Sequence, residues 1–303
     1  MATKIEWGDE TWNPITGCSK ISEGCQNCYA ERMSKRLAGR FGYPADKPFK
    51  VTLHEDKLDE PLKWRKPRRV FVCSMGDLFH ENVPDKAIID VLSVIAECEY
   101  QKLNHVFMIL TKRPGRMLEL FTNGTIHNDV WVQTSRGCNA EPSLWPLPNL
   151  WLGVTVENQQ RADERIPILL QIPAAKRFVS VEPMLGSVDL TFDAGTGQGL
   201  RDSFFSYGLD WVICGGETGP GARPMHPDWV RSLRDQCTAA GTPFFFKSWG
   251  NWVAPSQMPG NTYREIVDFG SGIGITDNQL GVGKKRAGRL LDGREWNQYP
   301  WEG

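Results

Sequence analysis

Three cysteines lie within eleven residues near the N-terminus, in the run Trp12-Asn13-Pro14-Ile15-Thr16-Gly17-Cys18, then Ser19 to Gly24, then Cys25-Gln26-Asn27-Cys28. Two thiolates separated by two residues can converge on one metal or cluster because a tight turn brings their sulfurs together, and a third from a flexible loop completes three-fold ligation. Gly17 and Gly24 each precede a cysteine, where the missing Cβ permits positive φ and a close approach to a bulky inorganic centre. A helix is expected to begin near Cys28, and its N-terminal amides would favour the thiolate form. Structural zinc is closed by four protein ligands. Three cysteines with no fourth ligand in the loop point instead to an iron–sulfur centre with one iron open to a small molecule. Two other readings stay open: zinc with His54 or His80 as a distant fourth ligand, or two core cysteines with a chance third.

The rest of the composition sets bounds on this chemistry. The chain has 303 residues, 40% hydrophobic and 23% charged, enough for one large α/β domain or two small ones. The formal net charge of -1 gives no global attraction to polyanions, so any nucleic-acid contact must rest on a local patch. The N-terminal residues lack the apolar core of a signal peptide, and no run of 18 apolar residues follows, so a soluble cytoplasmic protein with no membrane partner is expected. In a reducing cytosol, clustered thiols read as ligands or catalysts. The five scattered ones (Cys73, Cys98, Cys138, Cys214 and Cys237) read as small buried hydrophobes.

The elements that must position the loop come from an alternation of β-branched or aromatic runs with segments of helical period, the pattern of a parallel sheet. Strands are predicted at Arg69–Cys73, His105–Leu110, Leu150–Val156, Lys176–Val181, Asp210–Cys214 and Pro243–Phe246, with a seventh just before Cys18. Helices are predicted at Cys28–Leu37, Asp85–Glu99, Gly115–Phe121, Gln159–Gln171 and Pro227–Ala240. Each strand exits into a polar group: Ser74-Met75-Gly76-Asp77, Thr111-Lys112-Arg113, Glu157-Asn158, Glu182-Pro183, Gly215-Gly216-Glu217 and Lys247-Ser248. In a parallel barrel those exits share one face, where active sites form. The expected fold is therefore α/β, a TIM-type barrel, whole or partial, over residues 1–249, with long loop insertions at Gly124–Pro148 and Asp193–Gly208. Residues 250–303 are expected to form an irregular C-terminal extension that packs on the barrel or lids it.

The cysteine run followed by NCYAERM, with SMGDLFH, LTKRP, GVTVEN, SVEPML and GGETGPGARPMH in order, resembles the phage-associated three-cysteine-motif proteins, a group related to radical S-adenosylmethionine enzymes. The resemblance covers roughly Trp7 to Trp249. It implies a [4Fe–4S] cluster on Cys18, Cys25 and Cys28 whose unique iron chelates the amino and carboxylate groups of S-adenosylmethionine. Reductive cleavage, fed by an external electron donor, would give a 5′-deoxyadenosyl radical that abstracts hydrogen from a substrate. The phage association points to a nucleotide or nucleic acid as that substrate. One departure stands out: six residues separate Cys18 from Cys25 where three are commonest, and Asn27 occupies the position usual for an aromatic.

On this resemblance, Ser74, Gly76 and Asp77 are expected to contact the methionine amino group, with Asp77 supplying a charge-assisted hydrogen bond; a plain turn cap is the alternative. Lys112, with Arg113, can neutralise an anionic part of the cofactor or substrate. Glu157, Glu182 and Glu217 can accept hydrogen bonds from it, Lys247 suits either task, and Arg223 can pair with a carboxylate or phosphate. His226 is a possible proton donor. Lys63-Trp64-Arg65-Lys66-Pro67-Arg68-Arg69 interleaves an aromatic face with five positive charges, as a nucleic-acid contact would. It underlies a competing reading, a nucleic-acid-binding protein with a structural metal. Loop and tail tryptophans (Trp131, Trp145, Trp249, Trp252, Trp296 and Trp301) either wall off the barrel mouth from water or anchor long loops.

Overall fold

In a computed structural model, the described residues are 5–122, 126, 129–130, 145–191, 204–205, 208–257, 266–267 and 279–300. In chain order they run β1 (Glu10–Trp12), β2 (Ile15–Thr16), α1 (Tyr29–Leu37), β3 (Thr52–Leu53), β4 (Arg69–Val72), α2 (Asp85–Tyr100), β5 (Val106–Thr111), α3 (Pro114–Thr122) and β6 (Leu150–Thr155). There follow α4 (Gln159–Leu170), β7 (Lys176–Val181), β8 (Trp211–Gly215), α5 (Pro227–Ala240), β9 (Phe244–Ser248), β10 (Trp252–Val253), β11 (Ile266–Val267), β12 (Gln279–Gly281) and α6 (Lys284–Ala287).

Two compact units are built from interleaved segments. The first takes Met1–Ile21, Ala30–Val154 and Ile168–Arg177; the second takes Ser22–Tyr29, Thr155–Pro167 and Phe178–Gly303. The division falls inside the cysteine run, so Cys18 belongs to the first unit and Cys25 and Cys28 to the second.

In the first unit β1 pairs with β4, β4 with β5, and β5 with β6, all in parallel, from Glu10 opposite Val70 to Thr111 opposite Val154. In the second, β7, β8 and β9 are parallel, with a register shift between Cys214 and Gly215. The protein is thus mixed α/β with seven strands in parallel pairings, as the alternating pattern predicts. β6 and β8 are buried at every residue, and such near-continuous apolar runs are what strands covered on both faces require. Helices α2 and α5 show why the sequence turns helical between them. In α2, Ala87, Ile88, Val91, Leu92, Ile95 and Cys98 form one buried stripe. In α5, Pro227 stands at the first turn, Val230, Leu233 and Cys237 are buried, and Gly241 ends the helix at φ 69°.

The six strands and five helices predicted with bounds reappear with their ends moved by at most two residues; of the two strands before Cys18, β1 joins the parallel pairings and β2, next to the cysteine, pairs antiparallel with β3 instead. The tail differs from its expected irregularity: β10, β12 and β11 form a small antiparallel sheet, and the charged run at Gly283 opens helix α6. The tail also runs along β9. Asn297 bridges Phe245, the Phe246 N–H donates to the Trp296 carbonyl at 2.9 Å, and the Phe244 N–H donates to Gln298 Oε1 at 3.0 Å. These bonds occupy backbone groups that an edge strand would otherwise expose. Cys138, Trp131 and Trp301 lie outside the described residues, as do most of the two expected loop insertions. Among the described residues no helix is long and apolar enough to cross a membrane.

Candidate metal-binding loop and strand ends

In the first unit, Cys18 leaves β2 through a turn pressed against the end of β4. Gly17 and Gly76 form a parallel bridge, and the Gly17 N–H donates to the Met75 carbonyl at 2.9 Å. Gly17 has φ 89°, and a Cβ there would lie 2.2 Å from the Lys50 carbonyl oxygen; one on Gly76 would lie 2.9 Å from the Gly17 carbonyl. Asn13 Oδ1 accepts the Met75 N–H at 2.9 Å and the Ser74 hydroxyl at 3.2 Å, fixing the turn after β4.

The Arg113 guanidinium donates to Cys18 Sγ at 3.3 Å and to Asp77 at 3.3 Å, and its other arms reach Ser19 Oγ at 2.9 Å and Glu81 at 3.0 Å. Burial alone would lower the Arg113 pKa, but Asp77 and Cys18 outweigh it and keep the cation charged. A cation beside a thiol favours the thiolate.

In the second unit, Cys25 and Cys28 sit on a loop tied at three places. The Ser22 hydroxyl donates to Glu157 Oε1 at 2.7 Å, and Arg165 donates to the other Glu157 oxygen at 3.0 Å. Glu157 is fully buried. Glu23 accepts from Asn158 at 2.6 Å and from Arg161 at 3.0 Å, where Asn158 Oδ1 caps the first turn of α4 by accepting the Arg161 N–H. The Arg161 hydrogen bond holds the Glu23 carboxyl down at about 2. Glu217 accepts from Asn27 Nδ2 at 3.0 Å and from two Arg223 guanidinium nitrogens at 2.6 and 2.9 Å; Arg223 also donates to the Glu23 carbonyl at 3.0 Å. Burial would raise the Glu217 carboxyl, yet the bonds from Arg223 and Asn27 hold it below its ordinary value.

The three loop cysteines are partly exposed, whereas Cys73, Cys98, Cys214 and Cys237 are buried, and none of these seven is in a disulfide. Burial pushes the Cys73 and Cys98 thiols up to about 12 and raises Cys214 and Cys237 as well. Among the described residues, the thiols that remain accessible to a metal are therefore those of the motif. Soft thiolate donors suit an iron–sulfur cluster or zinc, so the donor set fits the expected group. Among the described residues no three His, Cys, Asp or Glu side chains gather as a site for a single metal ion.

Several residues expected to meet a cofactor have protein partners in the structure. Asp77 is buried, accepting from the Phe79 N–H at 3.0 Å, Thr111 Oγ1 at 2.7 Å and the Lys112 N–H at 3.2 Å as well as Arg113, so it braces the ends of β4 and β5. Glu157 and Glu217 hold the cysteine loop. Glu182 pairs with Lys247 at 2.5 Å beside Gly215. The glycines expected to admit an inorganic centre admit protein instead: a Cβ on Gly24 would lie 2.3 Å from Glu157 Oε1.

His54 and His80, the two candidates for a distant fourth ligand, are each hydrogen-bonded within the protein. His54 Nε2 is taken by Thr16 Oγ1 at 2.8 Å. His80 Nδ1 accepts the Asn82 N–H, which leaves the proton of the neutral ring on Nε2, facing Ser19 Oγ at 2.8 Å. Burial leads in lowering the His80 pKa below its ordinary value. His226 is the N-cap of α5, accepting the Asp228 N–H. In the basic run, Arg69 and Arg68 pair with Asp9 and Glu10, and Arg68 lies 5.2 Å over the Trp64 ring, whose edge meets His105. That ring is packed by its own neighbours. Trp249 and Trp252 donate to the Leu290 and Ala222 carbonyls and serve as anchors.

Sequence reasoning gave no individual role to Asn13, Ser22, Glu23, Asn158, Arg161 or Arg165. None has a motif signature by itself. Only the nearness of Ser22 and Glu23 to Cys25, and of Asn158 to Glu157, could have flagged them.

The chain matches, over residues 2–300, the family model described as Protein of unknown function (DUF5131). No curated protein and no solved structure matches it.

Proposed function

The chain belongs to the DUF5131 family, and we propose that it is a radical S-adenosylmethionine enzyme built on a partial TIM-type barrel. The observation that carries the reading is the contrast among cysteines: three partly exposed thiols on a braced loop, against four sealed in the core. The order of motifs from the cysteine run to GGETGPGARPMH, and the charged groups after successive parallel strands, support the same conclusion.

In this proposal Cys18, Cys25 and Cys28 hold a [4Fe–4S] cluster. When bound, such a cluster would supply the one-electron chemistry for reductive cleavage of S-adenosylmethionine to methionine and a 5′-deoxyadenosyl radical, the electron coming from an external donor and the radical serving to take hydrogen from the substrate. The chain's own part is placement and charge. Arg113 sets a cation against Cys18. Ser74 and Gly76, on the turn that Asn13 and Asp77 brace, present the end of β4 to the methionine amino group. Glu182 and Lys247 offer a paired carboxylate and ammonium for the remainder of the cofactor or for substrate. The phage-associated resemblance directs the search for substrate to nucleotides and nucleic acids.

The test is anaerobic incubation with dithionite and S-adenosylmethionine. Wild type should release 5′-deoxyadenosine and Cys18→Ala none. Equal product from both would end the proposal.

A further inference from the structure

Glu217 and Arg223 stand in the segment Gly215-Gly216-Glu217-Thr218-Gly219-Pro220-Gly221-Ala222-Arg223, which as a sequence suits a ligand cradle. In the structure both are turned on the cysteine loop itself. Glu217 uses Oε2 for Asn27 Nδ2, the Arg223 N–H and Arg223 Nε, and Oε1 for Arg223 Nη2. Asn27 spends its second amide proton on the Gly221 carbonyl at 2.7 Å. Arg223 then reaches past the carboxylate to the Glu23 carbonyl and, at 3.3 Å, to Gln26 Oε1.

We infer that the Glu217–Arg223 pair is a positioning device for the Cys25–Cys28 loop: it grips the two residues between the cysteines and fixes the thiols before any metal arrives. This rests on the reading that the loop thiols ligate metal. Three points argue for it. The pair touches the loop at Glu23, Gln26 and Asn27, on both sides of Cys25, so it constrains the loop's path. The Glu217 carboxylate is 6% exposed and its bonds are charge-assisted, roughly twice as strong as neutral ones. Asn27 stands between Cys25 and Cys28, and both of its amide protons are held, one by Glu217 and one by the Gly221 carbonyl. A preorganised ligand set loses less freedom on binding, so the device would be read in the metal-free protein as restrained thiols and in the loaded protein as metal retention.

The experiment is iodoacetamide labelling of the metal-free full chain, followed by mass spectrometry of each cysteine. Buried Cys73, Cys98, Cys214 and Cys237 report on the fold in the same sample. In Glu217→Ala and Arg223→Ala, labelling of Cys25 and Cys28 should rise about tenfold, the loss of one charged hydrogen bond, while the buried cysteines stay unlabelled. Asn27→Ala leaves the Glu217–Arg223 pair intact and should give a rise of several-fold; it decides the matter if either larger change exposes the core cysteines. Unchanged labelling in Asn27→Ala, or in a folded Glu217→Ala, would overturn the inference. Reconstituted with iron and sulfide, these variants should also lose iron faster than wild type during gel filtration. Since labelling needs no metal, a wild type that never binds iron would defeat the proposed function while leaving the labelling result standing.

Discussion

Cys18 and the Cys25–Cys28 pair belong to one motif but are held by different physics. Cys18 is placed by backbone packing: Gly17 and Gly76 lie against each other, Lys50 closes the other side, and one cation stands beside the sulfur. The other two cysteines are placed by a polar frame in which Glu157, Glu23 and Glu217 are each tied to an arginine. Packing of that kind fails abruptly when a methyl is added. A polar frame fails by degrees, one bond at a time, except where its charges are fully buried. The glycines before Cys18 and Cys25 follow the same division, since Gly17 makes room for backbone and Gly24 for a carboxylate.

The sharpest way to break the comparison is at its buried charge. Glu157→Ala leaves the Arg165 guanidinium, itself only 6% exposed, with the Thr155 carbonyl but without this counter-charge, and removing one member of such a pair costs about 3–5 kcal/mol. Urea denaturation should show a loss of that order, and accelerated labelling of Cys25 with no change at Cys18. Next in size is Gly17→Ala, expected to cost about 3 kcal/mol because a positive φ and a collision with fixed backbone add together. Gly24→Ala meets a side chain instead, and should cost about 1–2 kcal/mol, in the range of overpacking. Equal losses at the two glycines would erase the distinction drawn between the two regions.

The smallest effect concerns a control outside both. Asp292 is bound by Arg231 and Arg234, and the Arg231 hydrogen bond leads in holding its carboxyl below the ordinary value. A depressed carboxyl contributes its stability in full above the unfolded pKa of about 3.9 and loses it as pH falls through the folded value. Because the group is 37% exposed, screening keeps the contribution under about 1 kcal/mol. Asp292→Asn should therefore lower the urea midpoint slightly at pH 7 and by less as pH falls below the unfolded pKa, with the cysteine sites unaffected.

The strands and helices were legible because their signals are local. The run Leu150–Thr155 is apolar without interruption, and α5 has Pro227 and Gly241 at its ends. The three cysteines were legible for the same reason. What the carboxylates do was not. Glu157 and Glu217 follow strands, as ligand-binding residues of a barrel do, and nothing local reveals that Ser22 and Asn27, 135 and 190 residues away, donate hydrogen bonds to them. His226 illustrates the same limit on a smaller scale, since a helix cap and a proton donor look alike until the Asp228 N–H is placed. The tail strands β10 to β12 escaped because two or three residues carry no periodicity.

One measurement bears most directly on the account: iron and sulfide content, with the visible spectrum, of the full chain reconstituted under anaerobic conditions. A brown protein with about four irons per chain and absorbance near about 400 nm is predicted, with the colour lost in Cys18→Ala and in Cys28→Ala. A colourless wild type carrying a single zinc, or iron retained after either substitution, would contradict it.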